Sequence, residues 1–275
     1  MTTHLYPSDL TDAQWALIEP HLPSGPGGGR PRTTDMRDVF DAVLYITRTG
    51  CQWRYLPKDF PPKSPVWRYF DEWRHNGTLD TIHDRLPKKA RTAEKPYHPR
   101  TSASVDSQSV DSTSGGEQRG RDNAKNVDGR KRHIVVDSLG LLLAVLVTAA
   151  DVDDAKAAAT LFARLEGQPM SKVKRMYADS KYHNFALYQW VENNAGYDLS
   201  IVRRPKDAEG WVTLPIRWTV ERTFAWLGKC RRLTVDREKS VLSSESMVKL
   251  AMIQLMAKRL RPSDVEPEFH YRSVA

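Results

Sequence analysis

Three acidic residues stand out by position rather than by number. Asp106 interrupts the alternating stretch SASVDSQSV, where an aspartate is disfavoured unless solvent or a function holds it. Asp179 closes the apolar segment VKRMYAD, at the strand end where open α/β sheets place their ligand crevice. Glu221 adjoins the helical stripe Ile216, Val220, Phe224 and Leu227, so its carboxylate leaves the helix near the packed face. Singly, each reads as one solvated group among 34 Asp and Glu. Converging, they would repel one another and require a cation. Oxygen donors favour hard divalent ions such as Mg²⁺ or Mn²⁺, and a pair of these suits phosphodiester chemistry.

The elements that must position these acids follow from periodicity. Residues 24–32, SGPGGGRPR, exclude helix and strand. Met36, Val39, Phe40, Val43, Leu44 and Thr47 recur at helical spacing up to Gly50. A second helix is expected from Ser64 as N-cap with Pro65 at the first helical position, carrying Val66, Trp67, Phe70 and Trp73 inward and Arg68 and Arg74 outward. A shorter helix, Thr78–Leu86, ends a helical unit over 1–86, and Pro- and Lys/Arg-rich residues 87–101 read as a linker. Residues 102–262 then change to the order βββαβαβα, with a hairpin around Gly140 and closing helices around Glu221 and over Ser243–Leu260; 263–275 form a tail.

Composition narrows the class. Forty-two Lys and Arg against 34 Asp and Glu give +8 over 275 residues, and 40% hydrophobic content is enough for a core. Excess positive charge favours a polyanionic partner. The longest apolar run, Leu141–Val147, is too short to span a bilayer, and no signal pattern opens the chain, so a cytoplasmic protein with no membrane partner is expected. Cys51 and Cys230 can form neither a disulfide framework nor a four-ligand zinc site; they read as packing residues in a reducing compartment.

The order strand Asp, strand Asp, helix Glu, in SVDSQSV, GRKRHIVVDSLGLLLAV, MYADSKY and VERTFAWLGKCRRL, resembles the ribonuclease-H-like core of DDE transposases of bacterial insertion sequences, the group numbered five above all. LTDAQWALIEPHLP, GRPR and TGCQWRYLP resemble the small helix-turn-helix-like domain that precedes that core, so the likeness runs from about residue 8 to 260. The resemblance implies an α/β fold with a mixed sheet flanked by helices. It implies that Asp106, Asp179 and Glu221, at intervals of 73 and 42, hold two Mg²⁺ ions, with Mn²⁺ able to substitute. It also implies end cleavage and strand transfer on duplex DNA by a homodimer. Of the family's Tyr, Arg, Glu, Lys signature, Arg217 and Glu221 are present, whereas Leu214 and Gly228 stand at the Tyr and Lys positions. Lys229 or Arg232 would then supply the missing basic contact.

DNA contacts are expected from basic residues on irregular segments. Arg119, Arg121, Lys125, Arg130, Lys131 and Arg132 lie in RGRDNAKNVDGRKRH, read as a DNA-facing loop or as a hairpin edge guarded by charge. Arg30 and Arg32 in GGGRPR suit a narrow minor groove or a plain linker. Arg68 and Arg74 suit a recognition helix or an exposed helical face. Trp53, Trp67, Trp73, Trp190, Trp218 and Trp226 mostly fall on apolar faces and read as core, and His133 reads as a partly buried strand residue. Besides an active transposase, the sequence admits a domesticated copy that binds DNA as a repressor or architectural factor, and a structure-selective nuclease.

Overall fold

A computed structural model of the chain describes residues 6–25, 32–93, 101–166, 170, 173–203 and 215–262. Among the described residues, four α-helices come first. α1 (Asp12–Trp15) opens with a capping box in which Thr11 and Gln14 satisfy each other's backbone N–H. α2 (Met36–Thr49) is capped by Asp35 and stopped by Gly50 at φ 70°, a conformation suited to glycine. α3 (Lys63–His75) begins one residue before Ser64, with Pro62 rather than Ser64 at the cap, so the expected side-chain cap is absent there. α4 (Thr78–Ala93) runs through Pro87. The first seven residues of the expected linker, 87–93, are therefore helical: Ala90 and Arg91 are buried and tie the last turns down. Residues 94–100 and the tail 263–275 lie outside the described residues.

The sheet is built from β1 (Ser102–Asp111), β2 (Gly120–Asp122), β3 (Val127–Asp137), β4 (Leu142–Ala149), then, after α5 (Asp154–Ala163), β5 (Arg175–Ala178), and, after α6 (Phe185–Asn194), β6 (Asp198–Ile201). β3 lies between β1 and β4, antiparallel to both, while β5 joins β1 and β6 joins β5 in parallel. Antiparallel strands followed by parallel ones give the mixed sheet expected of a ribonuclease-H-like core. Among the described residues, three further α-helices follow β6: α7 (Pro215–Gly228), α8 (Arg231–Thr234) and α9 (Val241–Leu260).

Two apolar clusters hold the molecule. On one sheet face Val105, Val135 and Met176 pack with Ala158, Leu161 and Phe162 of α5 and Leu187 of α6. On the other, Ile134, Val136 and Val145 join Val220, Leu227, Ile253 and Met256 of α7 and α9, and this cluster continues into Phe40, Leu44, Phe70 and Trp73 of the leading helices. The helical region is thus part of the same core as the sheet. The free edge of β4 is blunted by side chains: Val147 N–H donates to Glu245 at 3.0 Å, and Arg164 donates to Val145 O at 2.6 Å while pairing with Glu245 at 2.7 Å. No helix among the described residues is long and apolar enough to cross a membrane.

Candidate catalytic site

Alternation along β1 turns Ala103, Val105 and Ser107 toward α5 and leaves Asp106 on the opposite face, toward α7. β5 runs parallel beside β1, with Ser104 opposite Tyr177, so Asp106 in mid-β1 and Asp179, just past the end of β5, come side by side. α7 lies against β1, β3 and β5 and offers Arg217 and Glu221 one turn apart.

Arg217 Nη2 stands 3.6 Å from Asp106 Oδ2, 3.8 Å from Asp179 Oδ2 and 3.9 Å from Glu221 Oε1. One guanidinium nitrogen therefore touches all three carboxylates that the sequence singles out across 115 positions, from 106 to 221. Asp106 and Asp179 are mostly enclosed, whereas the Glu221 side chain is 50% exposed and forms the solvent side of the site.

Burial raises the Asp106 carboxyl to about 6, and neighbouring Asp179 adds to the rise; the Ser107 N–H, Arg217 and Lys125 only partly offset it. Three carboxylates meet at this site on a single guanidinium, that of Arg217. The three acidic donors present only oxygen, a set suited to a hard divalent cation. In this arrangement no three acidic, His or Cys side chains among the described residues stand at mutual metal-ligating distances; the carboxylates share the Arg217 nitrogen instead. A cation held by them would displace that contact. Behind the site, Tyr182 is fully buried, its hydroxyl pushed well up by burial and by Asp106, Asp154 and Asp179.

The basic residues divide into those the fold presents and those it buries. Arg119, Arg121, Lys125 and Lys229 are exposed. Arg121 pairs with Asp128 at 2.5 Å and Asn126 at 2.6 Å, and Lys125 is close enough to Asp106 to lower its carboxyl. Arg68 is exposed and lies over the Tyr69 ring at 4.7 Å. Arg32 is half-buried and donates to Pro23 O at 3.1 Å; Arg30 lies outside the described residues.

The expected DNA-facing loop is instead the β2–β3 hairpin, and three of its cations point into the protein. Arg130 donates to Glu117 O and Glu238 O and pairs with Asp236 at 3.3 Å. Arg132 donates to Leu233 O at 2.6 Å, and Lys131 to Val152 O at 2.7 Å. These three are not available to DNA, because β3 is an inner strand covered on both faces. Arg232 is buried too, paired with Glu238 at 2.6 Å and bonded to Cys51 O at 3.1 Å, so it does not supply the basic contact expected of it. Arg74 does not face outward: it pairs with Asp71 and donates to Ser240 Oγ at the start of α9.

Other expectations meet mixed outcomes. Gly228 is exposed, with open space where a side chain would project, and Leu214 lies outside the described residues. Trp73 is core, but Trp67 and Trp218 are 48% and 43% exposed. Arg222 lies over the rings of Trp218 and Trp226, so these two tryptophans belong to a face of α7 that stacks aromatics with cations, apart from the buried stripe of Val220, Phe224 and Leu227. His133 is buried, and burial pushes its ring down to about 4. Cys51 and Cys230 are free thiols. Ser107, Asp154 and Lys181, which surround the two aspartates, stand at no spacing in the sequence that marks them. Asp154 sits in DVDDAKAAA, where adjacent acids before an Ala-rich stretch resemble ordinary helix caps.

Residues 10–83 match the family model described as a transposase of the IS4/5 family (DUF4096), and residues 98–256 match the transposase DDE domain. An insertion element IS402 16.2 kDa protein of Burkholderia cepacia is 32% identical over 119 residues, covering 41% of this chain and 79% of that one. A protein assigned as transposase to the same element is 32% identical over 142 residues, 50% of this chain and 66% of that one. Among solved structures, a piggyBac transposase synaptic complex with hairpin DNA aligns at 12% identity and TM-score 0.41, covering 90% of this chain and 71% of that one. The Mos1 strand transfer complex aligns at 11% and 0.30, covering 86% and 79%. With the DDE model spanning more than half its length and the acids of β1, the end of β5 and α7 gathered on one arginine, the chain belongs to the transposase DDE domain family.

Proposed function

We propose that the protein binds the terminal inverted repeats of its insertion sequence, cleaves a phosphodiester at each element end and joins the freed 3'-hydroxyls to target DNA. The observation that carries this reading is the meeting of Asp106, Asp179 and Glu221 within 4 Å of one Arg217 nitrogen. Asp106 and Asp179 would hold two Mg²⁺ ions between them, Mn²⁺ substituting, with Glu221 completing one site. Such ions supply an activated water and charge stabilisation at the leaving oxygen.

In the first reaction a water oxygen bonds to phosphorus as the P–O3' bond breaks, leaving a 3'-hydroxyl on the element and a 5'-phosphate on the flank. In the second, that 3'-hydroxyl bonds to a target phosphorus, and a target P–O3' bond breaks. Arg217 orients Glu221 and, once released from the carboxylates, meets a phosphate oxygen through its fork of donors. Glu221, half exposed on the solvent side, would face the scissile strand. The helices before residue 87 read the repeat, with Arg32 and Arg68 as contacts; Arg119, Arg121, Lys125 and Lys229 neutralise backbone phosphates, and two copies pair two ends.

The test is divalent-metal-dependent nicking of a labelled duplex carrying the terminal repeat, by wild type and by Asp106→Asn, Asp179→Asn and Glu221→Gln, with binding measured in parallel. Cutting at the repeat boundary by wild type, and binding without cutting by all three variants, supports the reading. Gly228 leaves the signature basic position without a side chain, which favours a second reading, a catalytically inactive DNA-binding repressor or architectural protein. Wild type that binds the repeat yet cuts with neither Mg²⁺ nor Mn²⁺ would establish that alternative.

A further inference from the structure

Each of the two strand aspartates takes a backbone N–H from a residue just after it. Asp106 Oδ1 accepts from Ser107 N at 2.7 Å, and Asp179 Oδ1 accepts from Lys181 N at 2.8 Å. The side chains of those same two donors turn to one further carboxylate, Asp154. Ser107 Oγ donates to Asp154 Oδ1 at 2.7 Å, and Lys181 Nζ lies 3.8 Å from Asp154 Oδ2. Asp154 is 4% exposed and comes from the first turn of α5, on the sheet face opposite α7. Lys131 Nζ, 3.3 Å away, and His133 Nδ1, 3.7 Å away, face the same oxygen as Ser107.

Helix capping does not account for this aspartate. Asp153 already caps α5, its side chain accepting from Lys156 N. A carboxylate serving only the helix dipole acts equally well from the surface, whereas a buried one is costly unless it is paired. The pairing here is divided: one oxygen holds the strand residue beside Asp106, and the other faces the residue that binds Asp179.

We propose that Asp154 is a positioning residue that sets the separation and orientation of the Asp106 and Asp179 carboxylates through Ser107 and Lys181. Partners that orient ligating side chains are typically worth about 10- to 100-fold in metal affinity. The proposal rests on the reading above only for what the two aspartates hold.

The test therefore has a metal-free arm, residue-resolved amide hydrogen exchange, and a metal arm, Mn²⁺ affinity. In Asp154→Ala the amides of residues 107 and 181 should both exchange faster, while Val135 in the inner strand keeps its protection. Ser107→Ala should loosen only the amide of residue 107, and Lys181→Ala only that of residue 181. Mn²⁺ affinity should fall about 10- to 100-fold in Asp154→Ala and less in each single-arm variant. If Asp154→Ala does not fold, Ser107→Ala and Lys181→Ala decide the matter through the same selective pattern. Wild-type protection of both amides in folded Asp154→Ala, or no arm-selective change in the other two, overturns the proposal. Wild type that neither binds Mn²⁺ nor nicks DNA would overturn the proposed function, while the exchange pattern still decides the positioning.

Discussion

Arg217 is the only cation within ion-pair distance of all three carboxylates among the described residues, so its removal leaves like charges facing one another. Arg217→Ala is expected to cut nicking about 100-fold, the scale of losing one preorganised charge-stabilising donor, with duplex binding changed only a few-fold. Nicking within a few-fold of wild type would show that the guanidinium is dispensable. Asp41 illustrates a different buried carboxyl. It is 6% exposed, accepts from Leu10 N at 2.9 Å, and burial raises it to about 7. Between an ordinary aspartate's range near 4 and that value, the folded state binds more protons than the unfolded one, so stability falls as pH rises across this window. Asp41→Asn should flatten that decline, gaining at most about 4 kcal/mol relative to wild type between pH 4 and 8, measured by urea unfolding at several pH values. An unchanged pH profile would reject the assignment.

At the scale of elements, the β3–β4 turn and α7 depend on each other. Gly140 sits at φ 76°, and a Cβ there would lie 2.9 Å from both Thr223 Oγ1 and a Trp226 ring carbon; Thr223 Oγ1 also donates to Gly140 O at 2.9 Å. Gly140→Ala should therefore cost about 1–3 kcal/mol and displace the helix bearing Arg217 and Glu221, lowering nicking and stability together. Thermal unfolding and nicking both at wild-type level would contradict it. The expectation that 87–93 form a linker failed for a reason belonging to this scale. Proline and the lack of an apolar stripe argue against a packed helix locally, but Ala90 and Arg91 become buried, and Arg91 reaches the buried Asp137 at the end of β3. Tertiary contacts outweigh weak local preference.

For the whole molecule, the leading helices and the sheet are joined by one apolar cluster that runs through α9. Met256→Ala should remove about 2–5 kcal/mol, and Trp fluorescence and far-UV dichroism should shift together in a single transition. Two separable transitions would mean that the helical region folds apart from the core. The net charge of +8 is spread unevenly between solvent and interior: Arg130, Lys131, Arg132 and Arg232 serve internal pairing and carbonyl contacts. Duplex binding should weaken linearly on a log scale with salt, and Lys125→Ala should reduce the slope by about 1 whereas Arg132→Ala should act through stability.

The sequence by itself marked the main strands and helices of the core in the order βββαβαβα, without the short β2, and singled out Asp106, Asp179 and Glu221 as candidates, because hydrophobic periodicity is local and an acid within or beside an apolar pattern is conspicuous. It did not determine which arginines face solvent: GRKRH reads as a basic loop until β1 and β4 flank it, and only then does each cation find a carbonyl or carboxylate inside. Nor did it distinguish Asp154 from the capping Asp153 beside it. That difference comes from α5 docking on β3 and β4 and against residues 180–182, which brings residues 107, 154 and 181 together across sequence separations that carry no periodic signal.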